Sequence, residues 1–162
     1  MIKPVLAVWL SYEEAVLNSP FKIATLGLTI PVPDEDAYVF RGRGNNWKSW
    51  YKVSLPNQDT TLFLDSTAFN LQGDNLYVSS LSFAKSGDKL LVKTDSRKIW
   101  RHSNSGTYFA YDLRENKLIP ISESNKNLRN VKFSPDGKMA AYVREDNNLY
   151  YYNFKRNREK RL

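Results

Sequence analysis

Leu81-Ser-Phe-Ala-Lys-Ser-Gly-Asp-Lys-Leu-Leu-Val92 and Val131-Lys-Phe-Ser-Pro-Asp-Gly-Lys-Met-Ala-Ala-Tyr142 read as two copies of one unit. Phe83 and Phe133 stand 50 positions apart, and so do the turn glycines Gly87 and Gly137. Each copy predicts a strand, a glycine turn and a second strand. The turn Ser134-Pro135-Asp136-Gly137 has a mechanism: Pro fixes φ at an early turn position and Gly accepts φ > 0 at a late one. A second strand pair follows each copy, Tyr108-Phe-Ala-Tyr-Asp112 with Lys117-Leu-Ile119, and Leu149-Tyr-Tyr-Tyr152 with the basic end. A weaker copy lies upstream, from Pro33-Asp34 to Phe40 with Trp50 to Leu64. A four-stranded unit that repeats every 50 or so residues is a β-propeller blade. The predicted fold class is therefore all-β: a partial β-propeller of about three four-stranded blades or parts of blades. It occupies residues 33–162, behind a segment 1–32. Propellers typically close with about four to eight blades, so three leave faces and edges that need cover.

Outward from the repeat, Ala37-Tyr-Val-Phe40, Trp50-Tyr-Lys-Val-Ser-Leu55 and Thr61-Leu-Phe-Leu64 are strand candidates, with turns at Gly42 to Asn46 and Pro56-Asn-Gln-Asp59. The one helix candidate is Ser11-Tyr-Glu-Glu14, a capping box continued by Ala15, Val16 and Leu17 and stopped by Pro20. The aromatic share of 14% leans toward tyrosine and suits pleated, half-buried surfaces.

Composition excludes some chemistry. There is no cysteine, so disulfides, thiolate catalysis and Cys-based zinc sites are ruled out. The longest apolar stretch, Pro4 to Leu10, is far below the roughly 20 residues that span a bilayer, and no A-x-A site follows it to make a signal peptide. Much of the net charge of +7 sits at the end, in Lys155, Arg156, Arg158, Lys160 and Arg161. Tyr150, Tyr151, Tyr152 and Phe154 precede that cluster, and such aromatics can stack bases. No helix-turn-helix, RNP-type motif or zinc spacing accompanies them, so the expectation is a strand and a solvated turn at Asn157-Arg158, with no nucleic acid as partner.

No catalytic motif is complete. There is no G-x-S-x-G elbow. Ser82-Phe-Ala-Lys85 and Ser86-Gly-Asp-Lys89 match S-x-x-K, but that pairing needs a helical turn and here both fall in a predicted hairpin. His102 is the only histidine, which leaves little scope for a zinc site or a triad, and nothing around it is a nucleophile. Gly42-Arg-Gly44 lacks the third glycine of a phosphate loop, and no EF-hand spacing occurs. No cofactor is expected.

The most distinctive string is Arg97-Lys-Ile-Trp100-Arg101-His102-Ser103. It is followed by Tyr108-Phe-Ala-Tyr111-Asp112-Leu113, Ser134-Pro-Asp-Gly137, Ala141-Tyr-Val143 and Asn148-Leu-Tyr150. This order resembles the N-terminal propeller of the dipeptidyl peptidase IV family of serine exopeptidases, where W-R-H-S, Y-D-L, S-P-D-G and A-Y-V…N-(L/I)-Y follow one another. Leu10-Ser-Tyr-Glu-Glu-Ala15 is similar to the helix that opens many bacterial members. The resemblance implies removal of X-Pro or X-Ala dipeptides from peptide N-termini, by an eight-bladed propeller set on an α/β-hydrolase domain. It implies that Arg101 reaches into the active-site cavity, contacts the carbonyl of the bound dipeptide and pairs with the acidic residues that hold the substrate amine. A guanidinium suits that task because its donors form a rigid, permanently charged fork. His102 stands beside it in the motif and is carried with it as a substrate-binding candidate. The family's D-W-V-Y-E-E-E segment, its triad and its oxyanion tyrosine have no counterpart in this sequence. The expectation is a truncated piece, inactive alone, whose partners are the remaining blades, the hydrolase domain and a peptide N-terminus. Family likeness further implies a possible homodimer of the parent and, in bacteria, a periplasmic or envelope location. The competing reading is a non-catalytic propeller binding module of the bacterial envelope.

Overall fold

The computed structural model describes residues 27–43, 48–101 and 103–162. The helix expected at Ser11 to Leu17 lies outside these residues, as does His102. The first sheet joins β1 (Thr29–Pro31), β2 (Ala37–Arg41), β3 (Trp50–Ser54) and β4 (Asp59–Leu64). A 3₁₀ turn, Ser66–Phe69, and a small hairpin of β5 (Asn70–Leu71) and β6 (Asp74–Asn75) lead onward. The second sheet joins β7 (Val78–Phe83), β8 (Lys89–Lys98), β9 (Asn104–Asp112) and β10 (Lys117–Pro120). The third joins β11 (Arg129–Phe133), β12 (Met139–Val143), β13 (Leu149–Asn153) and β14 (Arg158–Arg161). Each is an antiparallel meander in chain order, so the expected three blades are present. The first begins at Thr29, upstream of the copy that starts at Pro33.

The repeat visible in the sequence is a repeat of hydrogen bonds. Ala84 N–H donates to Lys89 O at 2.8 Å and Gly87 N–H to Ala84 O at 2.9 Å. Fifty residues on, Ser134 N–H donates to Met139 O at 2.8 Å and Gly137 N–H to Ser134 O at 2.9 Å. The first blade repeats the outer bond, Val32 N–H to Ala37 O at 3.0 Å. Gly137 has φ +66, and a Cβ there would collide with the Ser86 hydroxyl of the preceding blade. Glycine is thus required twice over, by the turn and by the stacking of one turn on the next.

Two cores hold the blades together, and the middle sheet serves both. Leu90, Val92, Phe109 and Tyr111 pack with Val39, Trp50, Leu64 and Phe69 of the first blade and its linker. Leu91, Tyr108 and Ala110, one position out of phase, pack with Leu128, Val131, Ala140 and Tyr142 toward the third. Alternation with period 2 puts successive side chains on opposite faces, so a strand apolar at every position, such as Leu90-Leu91-Val92, is a strand buried on both sides. Arg41 adds a polar tie at the first junction. Its guanidinium lies 4.9 Å from the Trp50 ring and donates to the Val78 carbonyl.

The basic end is the outer strand of the third blade, β14, with its turn at Phe154 to Asn157. Within it, the Glu159 side chain is only 5% exposed. Its carboxylate accepts from Tyr142 Oη at 2.8 Å, Ser122 Oγ at 3.1 Å and Glu123 N–H at 3.0 Å, and pairs with Arg144 at 3.5 Å. This ties the interblade linker to the last strand. Among the described residues, no helix is long and apolar enough to cross a membrane.

Candidate functional site

Arg101 sits at the tip of the β8–β9 hairpin of the middle blade. That hairpin is longer than the hydrophobic pattern predicts, because Lys93-Thr-Asp-Ser-Arg-Lys98 is polar yet forms strand. The polarity is satisfied locally: Thr94 Oγ1 donates to the Thr107 carbonyl at 3.4 Å, and Thr94 and Ser105 are both buried. An irregularity between Thr94 and Arg97, with Asp95 at φ +45, re-aims the hairpin before its tip. Ile99 and Trp100 N–H groups both donate to Ser103 O, at 3.0 and 3.1 Å, and close the tip. Trp100 is 75% exposed, and Arg101 is exposed beside it. No hydrogen bond or ion pair holds the Arg101 guanidinium to another described residue.

The base of the hairpin is fixed. Lys93 is buried, its ammonium donates to Asn104 Oδ1 and it lies 5.5 Å from the Tyr108 ring. Burial without a carboxylate partner lowers its pKa. Gly106 lets the strands approach: a Cβ there would come within 2.7 Å of Lys93 Cε and 2.8 Å of the Thr94 carbonyl. Gly106 also exchanges two backbone bonds with Leu128 of the interblade linker, at 3.1 and 2.9 Å. Sequence reading missed Lys93, Asn104 and Gly106. The available signal was a lysine and a glycine inside otherwise strand-forming runs.

Below the tip lies an open groove of about 350 Å³ lined by Arg97, Ser105, Asn127, Arg129 and Glu145, among others. Asn127 donates to Glu145, and Arg129 donates to the Arg144 carbonyl at 3.1 Å and Asn147 Oδ1 at 2.5 Å. The hairpin thus presents two exposed guanidiniums, Arg97 on a polar groove shared with the next blade and Arg101 at the tip. This arrangement can bind a carbonyl or carboxylate.

The S-x-x-K strings make no site. Ser82 lies in β7 and Lys85 in the following turn. Lys89 pairs with Asp88 at 2.8 Å and Asp112 at 3.5 Å. Burial opposes its charge, but the two carboxylates outweigh burial and its pKa is raised, which makes it a cation and not a base.

Residues 84–162 match the family model described as the dipeptidyl peptidase IV (DPP IV) N-terminal region. Dipeptidyl aminopeptidase B of Saccharomyces cerevisiae is 34% identical over 92 residues, 57% of this chain and 11% of that protein. Dipeptidyl peptidase 4 of Felis catus is 28% identical over 95 residues, 59% of this chain and 12% of that protein. The chain therefore spans about a tenth of the length of these relatives. In the crystal structure of Porphyromonas gingivalis dipeptidyl peptidase 4, a region superposes with a TM-score of 0.73 at 23% identity, covering 94% of this chain and 21% of that one. TolB from Acinetobacter baumannii superposes with a TM-score of 0.52 at 14% identity, covering 83% of this chain and 31% of that one, which is a likeness of fold alone. The family match begins just before the Gly87 turn and takes in the Arg101 hairpin, the second core and the whole third blade. Residues 84–162 are thus similar in sequence to the N-terminal region of the dipeptidyl peptidase IV family, and the three sheets share the fold of a dipeptidyl peptidase 4.

Proposed function

We propose that this chain is the substrate-anchoring front of the propeller of a serine dipeptidyl peptidase, acting on peptides with X-Pro or X-Ala at the N-terminus. The chain supplies no triad. Its contribution is Arg101, which donates to the carbonyl of the bound dipeptide and holds the acidic groups that take the substrate amine. The observation that carries this reading is the placement of Arg101: exposed at the tip of a hairpin whose base is locked by Lys93, Asn104 and the Gly106–Leu128 bonds. A rigid base lowers the entropy cost of holding the guanidinium in place, and orientation is what a positioning group provides. His102 shares the motif and is proposed as its neighbour at the same subsite.

The test is cleavage of a Gly-Pro chromogenic amide by the full reading frame that contains this chain. A charge-assisted hydrogen bond contributes about 1.5–3 kcal/mol, so Arg101→Ala should lower kcat/KM by about 10- to 100-fold. Arg101→Lys should recover little, because an ammonium lacks the planar fork. No cleavage by the long form would overturn the peptidase reading. Cleavage untouched by Arg101→Ala would return Arg101 to the surface.

A further inference from the structure

The groove below the Arg101 tip holds polar groups that no bond within the described chain uses. Arg97 and Ser105 are cross-strand partners in the β8–β9 hairpin, and such partners put their side chains on one face of the sheet. Both line the groove. Ser105 is 4% exposed, yet its hydroxyl has no hydrogen-bond partner among the described residues. A buried hydroxyl left unpaired costs free energy that a partner entering from the groove would recover. The exposed Arg97 guanidinium also has no partner among the described residues. Across the groove, Arg129 Nη2 donates to the Arg144 carbonyl at 3.1 Å and to Asn147 Oδ1 at 2.5 Å. These bonds hold the guanidinium in place and leave its Nε and Nη1 donors unused. Glu145 is the one carboxylate on the groove wall, and it accepts from Asn127. Two guanidiniums against one carboxylate give the groove one net positive charge. Its walls come from the β8–β9 hairpin and the β12–β13 turn, which are the same connection in successive blades, so the groove opens at the end of the sheets that carries Arg101.

We propose that this groove is a carboxylate subsite, and that it selects peptides whose N-terminal residue X is acidic. The proposal rests on the peptidase reading and names the substrate class of that same site. There, Arg101 holds the carbonyl of the bound dipeptide, and the groove reaches to within two residues of it, at Ile99. The carbonyl of residue X and its side chain leave the same Cα. Anchoring the carbonyl at the tip therefore leaves the side chain beside the groove. The Arg97 fork takes the two carboxylate oxygens, a match of planar donors to planar acceptors. The Ser105 hydroxyl donates to one of them, which gives a buried polar group the charged acceptor it lacks. Arg129 adds a second positive charge from the far wall. With one net positive charge, and Glu145 in place, the groove suits a singly charged carboxylate and not a polyanion.

The test compares Glu-Pro and Gln-Pro chromogenic amides on the full reading frame that contains this chain, because the two differ in charge and hardly in size. kcat/KM is expected to favour Glu-Pro by about 3- to 10-fold at low salt, the scale of a partly exposed, charge-assisted pair. The preference should fade at about 1 M salt, where the Debye length falls to about 3 Å. Arg97→Gln should bring the ratio to about one. Arg97 makes no side-chain bond among the described residues, so its loss reads on the subsite and not on folding. Glu145→Gln should raise the ratio by about 2- to 3-fold, since it removes the opposing charge and keeps an acceptor for Asn127. Lys98→Gln removes a charge from the same hairpin but outside the groove, and should leave the ratio as in wild type. A Gly-Pro amide separates the two readings. Gly-Pro cleaved with no preference for Glu-Pro, a preference that survives Arg97→Gln, or one that falls equally with Lys98→Gln overturns the subsite and leaves the peptidase reading standing. No cleavage of any of the three amides overturns both.

Discussion

At the scale of single residues, a side chain that closes a turn sets an acid-sensitive contribution to stability. Asp146, in the β12–β13 turn beside the groove, accepts from Asn148 N–H at 3.0 Å and Tyr150 Oη at 2.7 Å. Bonds from Asn148, then from Tyr150, hold its pKa down to about 2. That is below the value of about 3.9 for an unfolded chain. The unfolded state therefore binds the proton first, and stability falls as pH falls. The Asp146 contribution should be fully present above about pH 4 and gone once pH drops through about 2. Acid unfolding of wild type and Asp146→Ala should differ above this window and converge below it. A gap that persists at the acid end would mean that something other than the carboxylate charge is lost. Tyr142 behaves in the opposite sense: burial first, and then the Glu159 bond, push its pKa up, so its hydroxyl stays a donor to Ile121 O or Glu159.

At the scale of elements, the recurring device is the strand–turn–strand unit, and its weak point is the glycine. Gly137→Ala meets two penalties: a left-handed φ, worth about 1–2 kcal/mol for a residue with a Cβ, and the Ser86 hydroxyl. Chemical denaturation should show a loss of about 1–3 kcal/mol. Adding Ser86→Ala should restore part of it, because the collision goes and the φ cost stays. If the two changes add without coupling, the stacking of one turn on the next is not an energetic contact. The Arg101 hairpin follows a different rule. Its strands are polar in sequence, and they pair because the backbone ladder, the Thr94 and Lys93 side-chain bonds and the Gly106 approach satisfy what burial would otherwise leave unmet.

For the whole molecule, the middle blade shares a core with each of its neighbours, which should make the three sheets unfold together. Leu90 is fully buried in the first core, and Leu91, its neighbour, is buried in the second. Leu90→Ala should cost about 2–5 kcal/mol. It should lower the midpoint seen by Trp50 fluorescence in the first blade and by the tyrosine near-UV signal of Tyr142 and Tyr152 in the third by the same amount. Separate midpoints would mean that the blades unfold independently, as weakly coupled repeats do.

The sequence by itself determined the blade. Phe83 with Phe133 and Gly87 with Gly137 set the period and Ser134-Pro-Asp-Gly137 set the turn, because a local repeat is all a strand and its turn require. Arg101 was legible only as part of a motif, with no sign of how it is held. Tertiary structure alone decided that Lys93 to Lys98 pair as strand, that Gly106 admits the Lys93 side chain, and that Glu159 locks the last strand to the linker. Those features depend on partners from 6 to 37 residues away in the chain, on the same blade or an adjacent one. Such contacts satisfy buried polar groups, and hydrophobic periodicity carries no record of them.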